Sequence, residues 1–282
     1  MTITIHHHDS SDEYKAQLNS LTTEVFGFSF ERWHRRKVWN ADYTCYSIIE
    51  NGVMVANICA YRMDILIGGR EQEFIQLGTV AARKARRGEG LSRKIMEFIL
   101  DRHPHTPFFL CANSTVLDFY PRFGFQRVAE RQPLIRQGLD HPGVEMKNLR
   151  VDDPVVGEYL EQRAGFSRIL DCTNAAPIHW FHLLNSHIDH LYEIPELGVM
   201  LVAEQSGSAL TLYDVCASRP VSFAQLAPRL HFPGVDTIYF GFNSDWLNVD
   251  YQTCAYEADS TLFVRGEVEL PREFLLPEMI KT

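Results

Sequence analysis

The stretch Ala-Arg-Arg-Gly-Glu-Gly-Leu-Ser at residues 85–92 joins an apolar strand to an amphipathic helix. Small residues in such a turn let the backbone approach a ligand, and the N-terminus of the helix offers unpaired N–H groups to an anion. Arg83, Arg86 and Arg87 add cations suited to phosphate. The turn lacks the Gly-Lys-Ser/Thr ending of a P-loop and the glycine spacing of a Rossmann fingerprint. It therefore predicts a pyrophosphate site of another kind, with an exposed basic turn as the alternative.

The elements around this turn predict an α+β domain rather than a doubly wound one. Asn51-Gly52 is a strong two-residue hairpin signal between two of the strands. Gly124 provides a C-terminal stop for the last helix. In chain order we predict helices over 11–26 and 29–37, strands over 43–50, 53–63 and 73–81, a helix over 90–102, a strand over 108–112 and a helix from about 114 to 123.

A second motif follows the basic turn by about thirty residues. Residues 113–125 read Asn-Ser-Thr-Val-Leu-Asp-Phe-Tyr-Pro-Arg-Phe-Gly-Phe. Together the two motifs resemble the GNAT (GCN5-related N-acetyltransferase) superfamily, where an R/Q-x-x-G-x-G/A turn precedes an N…FYxxxGF element. The resemblance covers about residues 10–135. The chain is also similar to a subgroup of two-part bacterial GNAT proteins without a settled substrate. It implies an α+β GNAT fold with a mixed, splayed central sheet.

The resemblance also implies a site for acetyl-CoA as co-substrate. Backbone groups of Val80 and Ala82 are expected to face the pantetheine arm, with Ala81 between them. The family usually opens the turn with Gln or Arg, whereas this chain has Ala85, and Arg86 is the candidate replacement. The remaining implied cofactor-binding residues are Arg87, Gly88, Glu89, Gly90 and Leu91, with Ser92 adding its hydroxyl and Asn113 contacting the pantetheine.

Acetyl transfer needs a neutral amine, a polarised thioester carbonyl and a proton for the leaving sulfur. The resemblance implies that Tyr120 supplies this proton as the general acid, and a buried core tyrosine is the alternative. Glu73, Gln76 and Asp64 lie on or near the central strands, but none is identified as a general base, and water can serve instead.

The two halves of the chain differ in charge. Residues 1–150 hold 20 Lys and Arg against 17 Asp and Glu, whereas residues 151–282 hold 7 against 19. This difference, with a boundary near Val151, predicts a GNAT acetyltransferase domain over 1–150 and an acidic C-terminal GNAT-like α+β domain over 151–282. We expect the acidic half to shape the acceptor cleft, although a solvated acidic surface is the alternative.

The second half repeats the βββαβ order of the first. The predicted elements are strands over 190–194, 199–204 and 210–215, a helix over 222–230, a strand over 237–242 and a later short strand over 262–264. Ser218-Arg219-Pro220 stands where the first half has its glycine turn, and proline lacks an N–H. We predict a degenerate GNAT-like repeat that cannot hold pyrophosphate; the alternative is an unrelated α+β domain.

Composition excludes several other classes. The chain is 45% hydrophobic with a net charge of −9 and no long basic tract, which argues against general nucleic-acid binding. Its longest apolar runs, such as 53–60, are far below the roughly 20 residues of a membrane span. No secretory signal pattern is visible, so we expect a cytoplasmic protein without a membrane partner.

Cysteines and histidines carry no predicted site. The six cysteines lack a CxxC pair and are expected to be buried small side chains. His179, His182, His187 and His190 are expected to pack rather than to bind metal, so no metal site is predicted. Residues 6–8, three consecutive histidines, are expected to belong to a frayed terminus.

Together these observations predict an acetyl-CoA-dependent N-acetyltransferase acting by direct transfer. The acceptor is a primary amine of a small molecule or peptide, and a homodimer is one expected assembly. The alternative function is an acyl-CoA-binding sensor or regulatory module that keeps the fold without turnover. A scaffold with an empty cofactor groove fits the basic turn poorly.

Overall fold

The structure is a computed structural model that describes residues 2–139 and 146–282. Its strands are β1 (Ile3–His6), β2 (Tyr43–Glu50), β3 (Val53–Ile67), β4 (Arg70–Ala82), β5 (Phe108–Asn113), β6 (Gln126–Val128), β7 (Arg131–Arg136), β8 (Lys147–Leu149), β9 (Leu170–Cys172), β10 (Leu191–Ile194), β11 (Val199–Ser206), β12 (Ala209–Ala217), β13 (Thr237–Phe240), β14 (Gln252–Ala255) and β15 (Ser260–Arg265). Its α-helices are α1 (Asp12–Phe26), α2 (Glu31–Arg35), α3 (Leu91–Arg102), α4 (Pro154–Gln162), α5 (Ala176–Asn185) and α6 (Phe223–Leu226).

The strands form two mixed sheets within the described residues. The first has the order β1-β2-β3-β4-β5-β15-β6, with β9 added to β3, and the second has the order β14-β7-β13-β12-β11-β10-β8. The predicted α+β class is therefore confirmed.

Local sequence signals place the first helix and hairpin as predicted. Ser11 caps α1 by accepting a hydrogen bond from the Tyr14 N–H at 3.2 Å, and Gly27 ends the helix with a φ of 80°. Asn51 and Gly52 both have positive φ, 50° and 76°, as a two-residue hairpin turn requires.

Two local expectations are wrong. The segment predicted as one helix over 114–123 forms two 3₁₀ turns, Ser114–Val116 and Tyr120–Phe123. Pro121 lacks the N–H that a continuous α-helix would need there. The terminal histidines are not frayed as a group, because His6 belongs to β1, which pairs with β2, and its ring stacks on Tyr14 at 3.6 Å.

A bulge and a splay shape the centre of the first sheet. Cys59 pairs with Gly78 and Asn57 with Ala81, so β4 carries extra backbone between them, where Thr79 has a φ of 53°. The parallel pairing of β4 with β5 is confined to two residue pairs beginning at Ile75. Beyond them the two strands diverge, as the resemblance implied.

The second sheet repeats this plan in a reduced form. β11 and β12 are antiparallel with a register shift, and β12 is parallel to β13, as β4 is to β5. The helix between β12 and β13, α6, has four residues, and Ser218-Arg219-Pro220 precedes it. The prediction of a degenerate GNAT-like second part is confirmed.

Strands cross between the two parts of the chain. The predicted strand near 262–264 is present as β15, but it lies in the first sheet between β5 and β6. In return, β7 and β8 lie in the second sheet. A division of the chain at residue 150 stays a prediction, and each sheet takes strands from both sides of it.

All six cysteines are free thiols, and four are buried. No helix in the described ranges combines the length and apolar character needed to cross a bilayer.

Candidate active site

A cavity of about 1020 Å³ opens where β4 and β5 diverge. Its lining combines three sources: the end of β4 with the turn into α3, the β5 end with the following 3₁₀ turns, and side chains from the α1–α2 region, α5 and the last residues of the chain. The cofactor-site residues of the sequence analysis found in this lining are Val80, Ala82, Arg86, Arg87, Gly88, Gly90, Leu91, Ser92 and Asn113. Two others, Ala81 and Glu89, lie outside it.

The basic turn forms an open seat at the N-terminus of α3. Gly88 and Gly90 have φ values of 84° and 75°, and a Cβ built on either would meet no atom within 4 Å. The first helical hydrogen bond runs from the Lys94 N–H to the Gly90 carbonyl at 3.1 Å. The N–H groups of Leu91 and Ser92 therefore have no partner inside the helix and can bind an anion.

The arginines of the cavity divide into two kinds. Arg86 is held by Glu89 at 2.7 Å and by Glu50 at 2.8 Å, and these hydrogen bonds raise its pKa. Arg87, Arg93 and Arg122 also line the cavity, and within the described part of the chain no salt bridge holds them. Their charge is available to phosphate groups, whereas that of Arg86 is neutralised by its carboxylate partners.

The end of β4 forms one wall of the cavity. Val80 and Ala82 line the cavity, whereas Ala81 is buried in the core on the opposite face and pairs with Asn57. Glu89 serves the turn by holding Arg86.

Tyr120 lies at the other wall, in the second 3₁₀ turn. It is 4% exposed and packs against the rings of Phe119, Phe125 and Phe263. Burial, with a smaller effect of Cys111, raises the pKa of its phenol to about 12. The phenol is therefore protonated at neutral pH and can donate a proton.

Asn113 begins the same wall. Its Oδ1 accepts a hydrogen bond from the Thr115 N–H at 3.0 Å and so caps the first 3₁₀ turn. The residue lines the cavity from this capping position.

Helix α5 and the last residues bring functional candidates that the sequence analysis missed. Phe181, His182, Lys281 and Thr282 all line the cavity. His182 Nε2 lies 2.6 Å from the carbonyl oxygen of Lys281, to which it donates, and burial lowers the pKa of His182 to about 4. The imidazole is therefore neutral at pH 7, and a pKa this low makes it a weak base. No pattern in the sequence indicated that His182 would line the cavity.

The chain segment that carries Lys281 is fixed against the first sheet. Gln76 Nε2 donates to the Ile280 carbonyl at 2.9 Å. A Cβ on Gly78 would lie 2.4 Å from Thr282 Oγ1, so glycine permits this close approach beside the bulge. Gln76 is thus a buried anchor of this segment.

The other candidate bases lie outside the cavity. Asp64 and Glu73 pair with Arg62 at 3.3 Å and 3.5 Å, on the β3–β4 hairpin away from the splay. Neither is a lining residue, and the general base stays unassigned.

The second half reaches the cavity without its acidic residues. It contributes Ile178, Phe181, His182, Ser260, Lys281 and Thr282 to the lining. None of its Asp or Glu side chains lines the cavity, and its role in shaping an acceptor cleft stays a prediction.

The remaining histidines have other surroundings. His179 bonds Asp214 at 2.8 Å and the Ala175 carbonyl at 3.0 Å, deep in the core. Ligand atoms of His187, His190 and Glu204 lie within 4.8 Å of one another, close enough to hold a metal ion. The absence of a metal site stays a prediction.

Part of this chain is similar to a known protein family. Residues 7–128 match the family model described as an acetyltransferase (GNAT) domain. A search of curated proteins found no match.

Solved structures similar to this chain cover most of its length. A conserved protein of unknown function from Enterococcus faecalis V583, described as a probable N-acyltransferase, is 14% identical over 94% of this chain and 73% of its own, with a TM-score of 0.59. A GCN5-related N-acetyltransferase from Kribbella flavida is 14% identical over 93% and 70%, with a TM-score of 0.55. Eis1 from Mycobacterium abscessus is 12% identical over 94% and 73%, with a TM-score of 0.58. At these identities the likeness shows a shared fold.

Proposed function

Residues 7–128 belong to the GNAT acetyltransferase family, and from this premise we propose that the protein transfers an acetyl group from acetyl-CoA directly to a primary amine. The observation that carries the proposal is one continuous cavity that joins the open turn at Gly88 and Gly90 to the buried phenol of Tyr120. A thioester bound at the turn through its pyrophosphate would extend along this cavity, which Tyr120 also lines.

The turn would bind the pyrophosphate of acetyl-CoA. Backbone N–H groups at the start of α3 complement the negative charge, and Arg87 and Arg93 supply cations that no described salt bridge neutralises. The pantetheine would then lie along Val80 and Ala82 in the splay between β4 and β5.

The chemical step needs no covalent enzyme intermediate. The amine nitrogen attacks the thioester carbonyl carbon, the C–S bond breaks, and the acetyl group remains on nitrogen as an amide. Tyr120 would give its proton to the departing sulfur. The proton lost by the attacking nitrogen goes to solvent, because the low pKa of His182 makes this cavity-lining ring a weak base.

The test is ligand-induced stabilisation with a matched glycine control. Acetyl-CoA should raise the melting temperature of the wild type and bind in calorimetry, and Gly90→Glu should abolish both effects. Gly207→Glu is the control, because Gly207 also has positive φ, 61°, and open space at Cβ, but lies in the β11–β12 turn. Both variants carry the same backbone strain and the same added charge.

The control variant should keep the full stabilisation by acetyl-CoA. Undiminished binding by Gly90→Glu would place the cofactor elsewhere and end the proposal. Binding by the wild type without turnover of any amine would favour the acyl-CoA sensor instead. The homodimer and the cytoplasmic location stay predictions.

A further inference from the structure

We propose that the acceptor is an arylalkylamine, a primary amine joined through a short chain to an aromatic ring, rather than a polyamine or another polycation. This inference rests on the proposed function and names the substrate class of the same cavity. The carrying observation is an aromatic lobe of the cavity, whose described lining contains no Asp or Glu side chain. The apolar lining residues of this lobe are Phe26, Phe28, Phe30, Trp33, Tyr43, Ile178 and Phe181.

Phe28 lies at the centre of this lobe. Its ring centroid is 5.7 Å from that of Phe26, 5.3 Å from that of Phe30 and 5.1 Å from that of Phe181. The contacts to Phe30 and Phe181 are edge-to-face, the arrangement that aromatic pairs prefer. Phe26 is 40% exposed although it is a large apolar side chain, so the aromatic surface continues to the solvent. A ligand with an aromatic ring could extend this packing and cover that surface.

The charges of the lining disfavour a polycation. Its ionisable residues are Tyr43, Arg86, Arg87, Arg93, Cys111, Tyr120, Arg122, His182 and Lys281, so no Asp or Glu is available to pair with an ammonium group. A polyamine would have to bury several charges beside these cations without an Asp or Glu side chain to pair with them, which is costly.

The positive charge of Lys281 is paired with the carboxylate of Glu130. Its Nζ lies 3.0 Å from Glu130 Oε1 and 4.0 Å from the centroid of the Tyr256 ring. Because Glu130 compensates it, Lys281 offers little attraction to an anionic acceptor.

The same surroundings prepare an amine for attack. Removing an ammonium group from water into apolar surroundings favours its neutral form, as it does for buried lysines. The neutral form carries the lone pair that attacks the thioester. An apolar acceptor lobe can therefore favour the nucleophilic form of the amine without an Asp or Glu side chain as base.

An aromatic lobe could also hold a long acyl chain of the donor, and the experiment separates the two occupants. The protein saturated with CoA is titrated in a calorimeter with 2-phenylethylamine and with spermidine, and thiol release from acetyl-CoA is measured with both amines. Acetyl-CoA and octanoyl-CoA are then compared as donors. We expect 2-phenylethylamine to bind and to give a kcat/KM at least tenfold above that of spermidine.

Variants of the lobe locate the effect. Phe28→Ala and Phe181→Ala should each raise the KM for 2-phenylethylamine about 10- to 100-fold, the range for losing apolar contacts in a pocket, and leave acetyl-CoA binding unchanged. The more conservative Phe28→Leu keeps the test usable should an alanine variant fold poorly. Phe98→Ala is the matched control, because Phe98 is a half-buried phenylalanine on α3 outside the cavity.

Each outcome decides the inference. Preferred turnover of spermidine, or equal effects of Phe28→Ala and Phe98→Ala, would overturn it and leave the acetyltransferase proposal intact. A change in octanoyl-CoA affinity alone would assign the lobe to the acyl chain and also overturn it. Binding of 2-phenylethylamine without turnover of any amine would support the lobe and overturn the proposed function instead.

Discussion

The Tyr120 hydroxyl is the single group whose removal tests the proposed chemistry most directly. Its side chain is buried among three aromatic rings, and the phenol is protonated at neutral pH because burial raises its pKa to about 12. Tyr120→Phe keeps the ring and its packing. We expect kcat to fall by about 10² to 10⁴-fold, the range for a general acid, while the dissociation constant for acetyl-CoA changes little. Turnover kinetics and acetyl-CoA calorimetry measure the two quantities.

A matched variant separates the acid role from loss of a buried hydroxyl. Tyr46 is also a buried tyrosine. It lies on β2 of the first sheet, outside the cavity. Tyr46→Phe should cost about 1 kcal/mol of stability or less and leave kcat within a few-fold of wild type. If Tyr120→Phe turned over as fast as Tyr46→Phe, water or the amine would have to protonate the thiolate.

At the scale of elements, a buried ion network ties α4 and α5 to β12. Asp214 on β12 accepts hydrogen bonds from Arg163 at 2.7 Å and His179 at 2.8 Å, and Arg163 also pairs with Asp171 at 3.1 Å. Burial alone would raise the pKa of Asp214, but the arginine and the histidine hold it well below its usual range. This network fixes α5, the helix that carries Phe181 and His182 to the cavity.

We therefore expect Asp214→Asn to lower the free energy of unfolding by about 3 to 5 kcal/mol at pH 7, because Arg163 would keep a buried charge with one partner fewer. A carboxylate whose pKa is depressed in the folded state stabilises above its unfolded pKa, about 4, and loses this contribution as the pH falls further. The difference between wild type and variant should thus be constant from pH 7 to 5 and shrink below pH 4. Urea unfolding at several pH values measures it.

The control for this network is Asp236→Asn, which alters an exposed carboxylate before β13. It should change the free energy of unfolding by less than about 0.5 kcal/mol at every pH. Equal stability losses in both variants, or a difference that grows on acidification, would show that Asp214 is not held as a paired carboxylate.

Element prediction from sequence succeeded where the signal is local. Asn51-Gly52 and the capping Ser11 act on neighbouring residues, so the hairpin and α1 have their predicted limits within a few residues. The segment 114–123 was harder, because its apolar spacing suits a helix while Pro121 interrupts the backbone hydrogen bonds.

For the candidate site too, the sequence predicted the parts that depend on local motifs. The seat at Gly88 and Gly90 and the wall with Tyr120 come from contiguous motifs, and the structure brings both to one cavity. Phe181 and His182 reach that cavity from a helix nearly a hundred residues beyond Gly90 in the sequence. Contacts such as that of His182 with Lys281 hold them there. Such pairings depend on tertiary packing, which no periodicity in the sequence reports.

For the whole molecule, the decisive feature is the exchange of strands across residue 150. β15 pairs with β5 along its full length, from Ser260 with Asn113 to Arg265 with Phe108, and its other edge pairs with β6. Phe263 of β15 is fully buried and packs 5.6 Å from the Tyr120 ring. The first sheet and the cavity wall at Tyr120 therefore include a strand from the second half.

This topology predicts that residues 1–150 do not fold into a stable domain alone. Without β15, β5 would expose an unpaired edge and the apolar surface that Phe263 covers, and β7 would lack β13 and β14. We expect the isolated fragment to lack near-UV circular dichroism and a cooperative melting transition. Co-expression with residues 151–282 should restore both, together with stabilisation by acetyl-CoA, because the missing strand is then present in trans. A fragment 1–150 that melts cooperatively and binds acetyl-CoA with the affinity of the full chain would show that β15 is dispensable to the first sheet.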